Sequence, residues 1–204
     1  MTAKRANYKG IIRFAIILLF AHFFWKFTMK GDDSDDEVIF FGIELTKPFN
    51  WSSTHVADVV YYTLGKIGYE VEREPGNVIR HTETRNAVRV VWACTGLKQA
   101  YIFAMILLFS AGPWKRKLWY IPSGLVLVYL FNLFRITYIT AVVHHHPERF
   151  EYLHEHFFKY LFYGLIFMMW VLWEEKISKV KKTELAKNTV PNVELPVDEK
   201  GKTE

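Results

Sequence analysis

Apolar residues in this chain come in long unbroken runs rather than at the spacing of a soluble core. Residues 11–29, 94–114, 118–143 and 157–173 are apolar almost throughout. A hydrocarbon layer about 30 Å thick is crossed by about 20 helical residues. The pattern therefore predicts an all-α polytopic membrane protein with four transmembrane helices. Between the first and second runs the pattern shortens. Ser52-Ser53-Thr54 is read as the cap of a helix with Val56, Val59, Val60, Thr63 and Leu64 on its apolar face, ending near Gly65 or Gly68. Tyr69 to Glu72, Asn77 to His81 and Ala87 to Val91 read as short strands divided by Pro75-Gly76 and a polar turn. The expectation is a small extracytoplasmic α+β cap, one helix and a strand pair, leading directly into helix two. The organisation is then an anchor over 1–29, a cap over 30–90, a three-helix membrane core over 91–175 and a polar tail over 176–204. That tail has two prolines and no apolar period, and is expected to be disordered.

Composition sharpens this picture only modestly. Apolar types make up 51% of 204 residues, and 26 Lys+Arg against 21 Asp+Glu give a net charge of +5. Mean hydropathy stays near zero because the polar segments offset the runs. A soluble cytosolic enzyme and a nucleic-acid binder are disfavoured, and the lipid bilayer is the expected surrounding. Charge also orients the helices, since Lys and Arg collect in short cytoplasmic loops. Lys4, Arg5, Lys9 and Arg13 precede the first run, Lys115, Arg116 and Lys117 separate the second and third, and Lys176, Lys179, Lys181 and Lys182 follow the fourth. The alternate segments are acidic or neutral, with 11 acids against 7 bases over 30–90. Both termini are thus expected in the cytoplasm. Met29-Lys30-Gly31-Asp32 offers no small-x-small cleavage site, so the first helix is read as an uncleaved anchor.

Ionisable groups inside a span mark function by default. Arg13, Lys26 and Lys159 stand near span ends, where long side chains reach the interface, and His22 is read as a packed or hydrogen-bonded histidine. Arg135 is different. It lies about 26 Å along its helix from Leu118, and Asn132, three residues earlier, shares its face. Cys94, the one cysteine, opens helix two ahead of Thr95 and Gly96, with Lys98 a turn further on. A helix N-terminus and a nearby cation both favour the thiolate. At the start of helix four, His154 and His156 offer an imidazole that can exchange protons near neutral pH. Spacing and topology bring a nucleophile, a guanidinium and an imidazole to one depth. His144, His145 and His146 form a second histidine group, read as a wet interfacial loop. His154-Glu155-His156 lacks the i, i+4 spacing of a helical zinc site. No metal and no cofactor is assigned.

Three blocks now stand together: Ala93-Cys94-Thr95-Gly96-Leu97-Lys98, Asn132-Leu133-Phe134-Arg135-Ile136 and His154-Glu155. They resemble the signature blocks of the exosortase/archaeosortase family, and the short chain with its aromatic-rich last helix looks most like the small bacterial XrtF-like subgroup. The resemblance covers residues 87–173. Larger members have about eight spans rather than four, and the glycine usual shortly after the histidine is replaced here by the stretch holding Phe158 and Lys159.

The resemblance implies a membrane-embedded cysteine transpeptidase or protease in the bacterial inner membrane. Its partner would be an exported protein with a C-terminal hydrophobic sorting signal. The family's catalytic Cys, Arg and His fall on Cys94, Arg135 and His154, with His156 an open alternative to His154. Lys98 is expected to help hold the thiolate and Asn132 to orient Arg135. The reading from a different class is a non-enzymatic membrane assembly factor, in which the same polar groups are structural.

Overall fold

The structure, a computed structural model, describes residues 8–31 and 37–177. The N-terminal Lys4 and Arg5, the acidic run Asp32 to Asp36 and the tail from 178 lie outside the described residues.

Among the described residues three helical stretches are long and apolar enough to cross a membrane: Gly10–Thr28, Trp114–His145 and Pro147–Ile177. The first is α1 (Tyr8–Thr28). The second predicted helix is shorter than its apolar run. It forms only α3 (Leu97–Phe109), 13 residues, entered through a 3₁₀ turn at Trp92–Cys94. Its length of about 20 Å falls short of a hydrocarbon layer. Gly96, at φ +80°, sets its start, and at its far end Gly112 (φ +136°) and Pro113 turn the chain into the next helix. Apolar residues at both ends of the run 94–114 therefore serve turns rather than helix.

Next comes α4 (Trp114–His145), 32 residues, about 48 Å long and more than a bilayer needs. Its last turns are apolar for a different reason than lipid. Ile136 packs with Val56, Val60, Leu64, Ile79 and Val90, while Ile139 and Val143 pack with Val88 and Phe158. The end of the run 118–143 is a protein core. The last apolar stretch begins with a π-helical turn (Tyr152–Phe157), continues as α5 (Phe158–Leu172) and ends in a second π turn (Trp173–Ile177).

The segment between α1 and α3 holds one long helix, α2 (Thr46–Lys66). It starts six residues before the predicted cap. Ser52 and Ser53 lie inside it and donate back to the Phe49 carbonyl at 2.8 and 3.1 Å, the usual use of a hydroxyl within a helix. Around α2 are two antiparallel three-stranded sheets where a strand pair was expected. One has β1 (Met29–Lys30), β2 (Ile39–Phe40) and β3 (Ile43–Glu44) in that order. The other has β4 (Val71–Glu74), β5 (Val78–His81) and β6 (Ala87–Arg89), with Val71 opposite His81 and Ile79 opposite Val88.

This segment is fastened to the end of α4 by buried polar contacts. The fully buried His81 ring bonds through Nε2 to the Thr140 carbonyl at 2.8 Å, and Asn86 Nδ2 donates to the carbonyls of Val143 and His144, both at 3.1 Å. His144 is also buried, between Tyr69 and His81. The wet loop expected for His144 to His146 is thus corrected at its first residue, because the β4–β6 sheet covers the helix end.

Among the membrane helices, Phe103, Ile106, Leu107, Val128, Phe162, Ile166 and Trp170 form the main core. Gly124 lets α4 approach α3 closely, since a Cβ there would collide with the Phe103 ring.

Candidate active site

The local chain path around Cys94 explains how a thiol is presented here. The 3₁₀ turn closes with the Cys94 N–H donating to the Val91 carbonyl at 2.9 Å. The buried Thr95 hydroxyl then donates to the Trp92 carbonyl at 2.6 Å. Gly96 follows in the left-handed region, which favours glycine. A Cβ on Gly96 would stand 3.0 Å from the Asn132 amide carbon, so that residue also clears room for Asn132. Asn132 uses the room: it is fully buried on α4 and its Nδ2 donates to the Cys94 carbonyl at 2.9 Å. Asn132 therefore holds the cysteine turn, a different task from orienting Arg135.

The thiol faces an imidazole. Cys94 Sγ lies 3.5 Å from His154 Nε2, and His154 Nδ1 lies 3.1 Å from Glu155 Oε1. The Phe150 ring stacks on His154 at 5.3 Å between centroids with an 8° tilt. The π-helical geometry of Tyr152–Phe157 is often found at functional sites. His156 is exposed and lies against the Tyr152 ring at 6.1 Å, so of the two candidates it is His154 that meets Cys94.

Arg135 completes the arrangement. It is 6% exposed, shares one small cleft with Cys94 and His154, and is near enough to Cys94 and Glu155 for their charges to act on it. Its buried Nε has no hydrogen-bond partner among the described residues. Val88 and Val90 form the apolar wall of this cleft. Cys94, Asn132, Arg135 and His154 thus come together as the spacing suggested. Lys98 lines the neighbouring cavity with Lys26.

The model of the transmembrane exosortase family (Exosortase_EpsH) matches residues 38–174. The chain belongs to the transmembrane exosortase family. No curated protein and no solved structure matches it. The match begins upstream of the resemblance seen in the motifs. It takes in α2 and strands β2 to β6, so the segment that covers the end of α4 is part of the exosortase unit, while α1 and β1 stand outside it.

Sequence reasoning missed Phe150 and the two valines. An aromatic beside a polar loop and valines in and just after a short strand carry no chemical signal of their own; only the fold brings them to the histidine and the thiol. Among the described residues no three His, Cys, Asp or Glu side chains are grouped to hold a metal ion.

Proposed function

We propose that this exosortase is a sortase-like cysteine transpeptidase or protease that processes the C-terminal sorting signal of exported proteins at the extracytoplasmic face of the inner membrane. The carrying observation is the 3.5 Å approach of Cys94 Sγ to His154 Nε2 beside the buried Arg135. The thiol proton passes to Nε2, which is an acceptor when Nδ1 keeps its proton towards Glu155. The thiolate attacks the scissile carbonyl, and the guanidinium of Arg135 stabilises the oxyanion that forms. Collapse breaks the C–N bond and His154 returns its proton to the leaving amine, which leaves a thioester on Cys94. His154 then deprotonates the incoming amine or water, whose attack releases Cys94. Asn132 acts as a positioning residue through the Cys94 carbonyl.

The alternation of basic and acidic segments supports placing both termini in the cytoplasm and the site outside. In this arrangement α3 is the second of four crossings, a shortened one, and the segment over 30–90 is the extracytoplasmic cap. The substrate's own hydrophobic tail would lie in the bilayer beside the cleft. The aromatic last helix supports the XrtF-like subgroup.

The test is processing of an exported tail-bearing protein in cells carrying Cys94→Ala. Loss by about 10⁴-fold or more, together with a hydroxylamine-sensitive acyl adduct on wild-type Cys94, is expected. Full processing by Cys94→Ala would sink the mechanism and return the assembly-factor reading to the front.

A further inference from the structure

A second cavity lies on the other side of the Cys94 turn. It holds about 340 Å³ and is lined by Trp25 and Lys26 near the end of α1, Met29 of β1, Trp92 of the 3₁₀ turn, and Leu97 and Lys98 at the start of α3. Its chemistry is unlike that of the catalytic cleft. Two ammonium groups and two indoles meet where two apolar helices end, which is the composition of a headgroup-level site. The first turn of α3, with no side-chain cap, adds the positive end of its dipole. The Trp92 indole N–H is buried with no acceptor among the described residues. Lys159 of α5 joins Lys26 and Lys98 in acting on the charge of His22, so three helices send cations to this end of the bundle.

We propose that the cavity between the ends of α1 and α3 binds a phosphate-bearing anion through Lys26, Lys98 and the Trp92 N–H. An ammonium has three donors, so each lysine can take a phosphate oxygen while keeping another contact. Beyond Gly31, on the cavity wall, the sequence continues into Asp32-Asp33-Ser34-Asp35-Asp36. The proposal does not depend on the acyl-transfer reading, since it concerns a ligand that never reaches Cys94.

Both a lipid headgroup and free phosphate carry the required group, and the test separates them. Full-length protein in detergent is titrated with short-chain phosphatidylglycerol, short-chain phosphatidylcholine or inorganic phosphate while the melting temperature is followed. A saturable rise with phosphatidylglycerol alone assigns a lipid headgroup; saturation by inorganic phosphate at similar concentration assigns a free anion. In Lys26→Gln/Lys98→Gln the half-saturation point should rise by about tenfold or more, as loss of charge-assisted hydrogen bonds implies. Lys47→Gln/Lys66→Gln, at exposed positions on α2, should leave it unchanged. If the first double variant does not fold, Trp92→Phe, which keeps the ring and removes the N–H, should weaken binding several-fold. Absence of saturation by either anion, or binding by these variants equal to wild type, would overturn the proposal.

Discussion

The two ends of the α3–α4 hairpin are built from similar materials and treat their polar groups in opposite ways. At the turn end, Lys117 is 3% exposed, and its ammonium donates to the carbonyls of Leu108 and Ser110, both at 2.7 Å, while lying 4.7 Å from the Trp114 ring centroid. Nearby, Arg116 donates to the Ile177 carbonyl, Tyr120 to that of Met169 and the Trp173 indole to that of Ala111. Every one of these donors finishes a helix end or a backbone carbonyl. At the Cys94 end, Arg135 Nε, Asn132 Oδ1 and Trp92 Nε1 are buried without a partner among the described residues. Buried polar atoms are normally satisfied, and leaving one unmade costs about 1–3 kcal/mol. One end is therefore a structural closure, and the other holds unspent hydrogen-bonding capacity around a thiol.

The contrast is broken most severely at Arg135. Arg135→Gln keeps a polar side chain but removes the charge, and should lower processing by about 10²–10³-fold, the usual consequence of losing an oxyanion donor. Membrane insertion and melting temperature should change little, because the wild-type guanidinium is already incompletely satisfied. A variant that loses stability and activity together would make Arg135 a structural residue like Lys117.

Lys117→Met is the reciprocal experiment. The methionine fills most of the volume, but the Leu108 and Ser110 carbonyls lose their donor. Stability should fall by about 2–3 kcal/mol, read as a lower melting temperature in detergent, with activity per folded molecule retained. Gly96→Ala is expected to be smaller in stability, about 1–2 kcal/mol from the left-handed backbone. It should nonetheless reduce processing, because the added methyl pushes on Asn132 and through it on the Cys94 carbonyl. The sign that Asn132 acts by positioning would be a fall in kcat with little change in KM.

The group proposed to carry the chemistry was legible in the sequence because rare polar residues stand out against apolar runs: Cys94, Arg135 and His154 could each be picked by type and by depth. The same runs misled where apolar residues served two purposes. Residues 136–143 read as the end of a transmembrane helix, yet Ile136, Ile139 and Val143 pack with residues of the cap such as Val56, Ile79 and Val88. Hydropathy measures transfer from water, and it assigns the same value whether the new neighbour is lipid or protein. Lys117 was counted only as a topology-setting charge, although the structure spends its ammonium on a helix end. A long-range hydrogen bond has no local pattern, so Asn132 reaching the Cys94 carbonyl across 38 residues could not be read from either segment alone.

The smallest effect expected belongs to the joint between the cap and α4, which carries a titratable ring held through Nε2, its Nδ1 having no partner among the described residues. His81 is buried against Thr140, with His144, Tyr69 and His145 around it, and burial holds its pKa below the ordinary 6.5 despite the opposing hydrogen bond to the Thr140 carbonyl. The unfolded chain takes up this proton near pH 6.5, whereas the folded protein resists it until lower pH. Stability from this group is therefore complete above pH 6.5 and is lost as pH falls from there towards the folded pKa. Melting temperatures at pH 8 and pH 5.5 should differ less in His81→Gln than in wild type, while at pH 8 the variant is slightly weaker for want of the ring's packing. Equal pH dependence in the two proteins would mean that folding leaves the proton affinity of His81 unchanged, and that burial at the joint does not disfavour the charged ring.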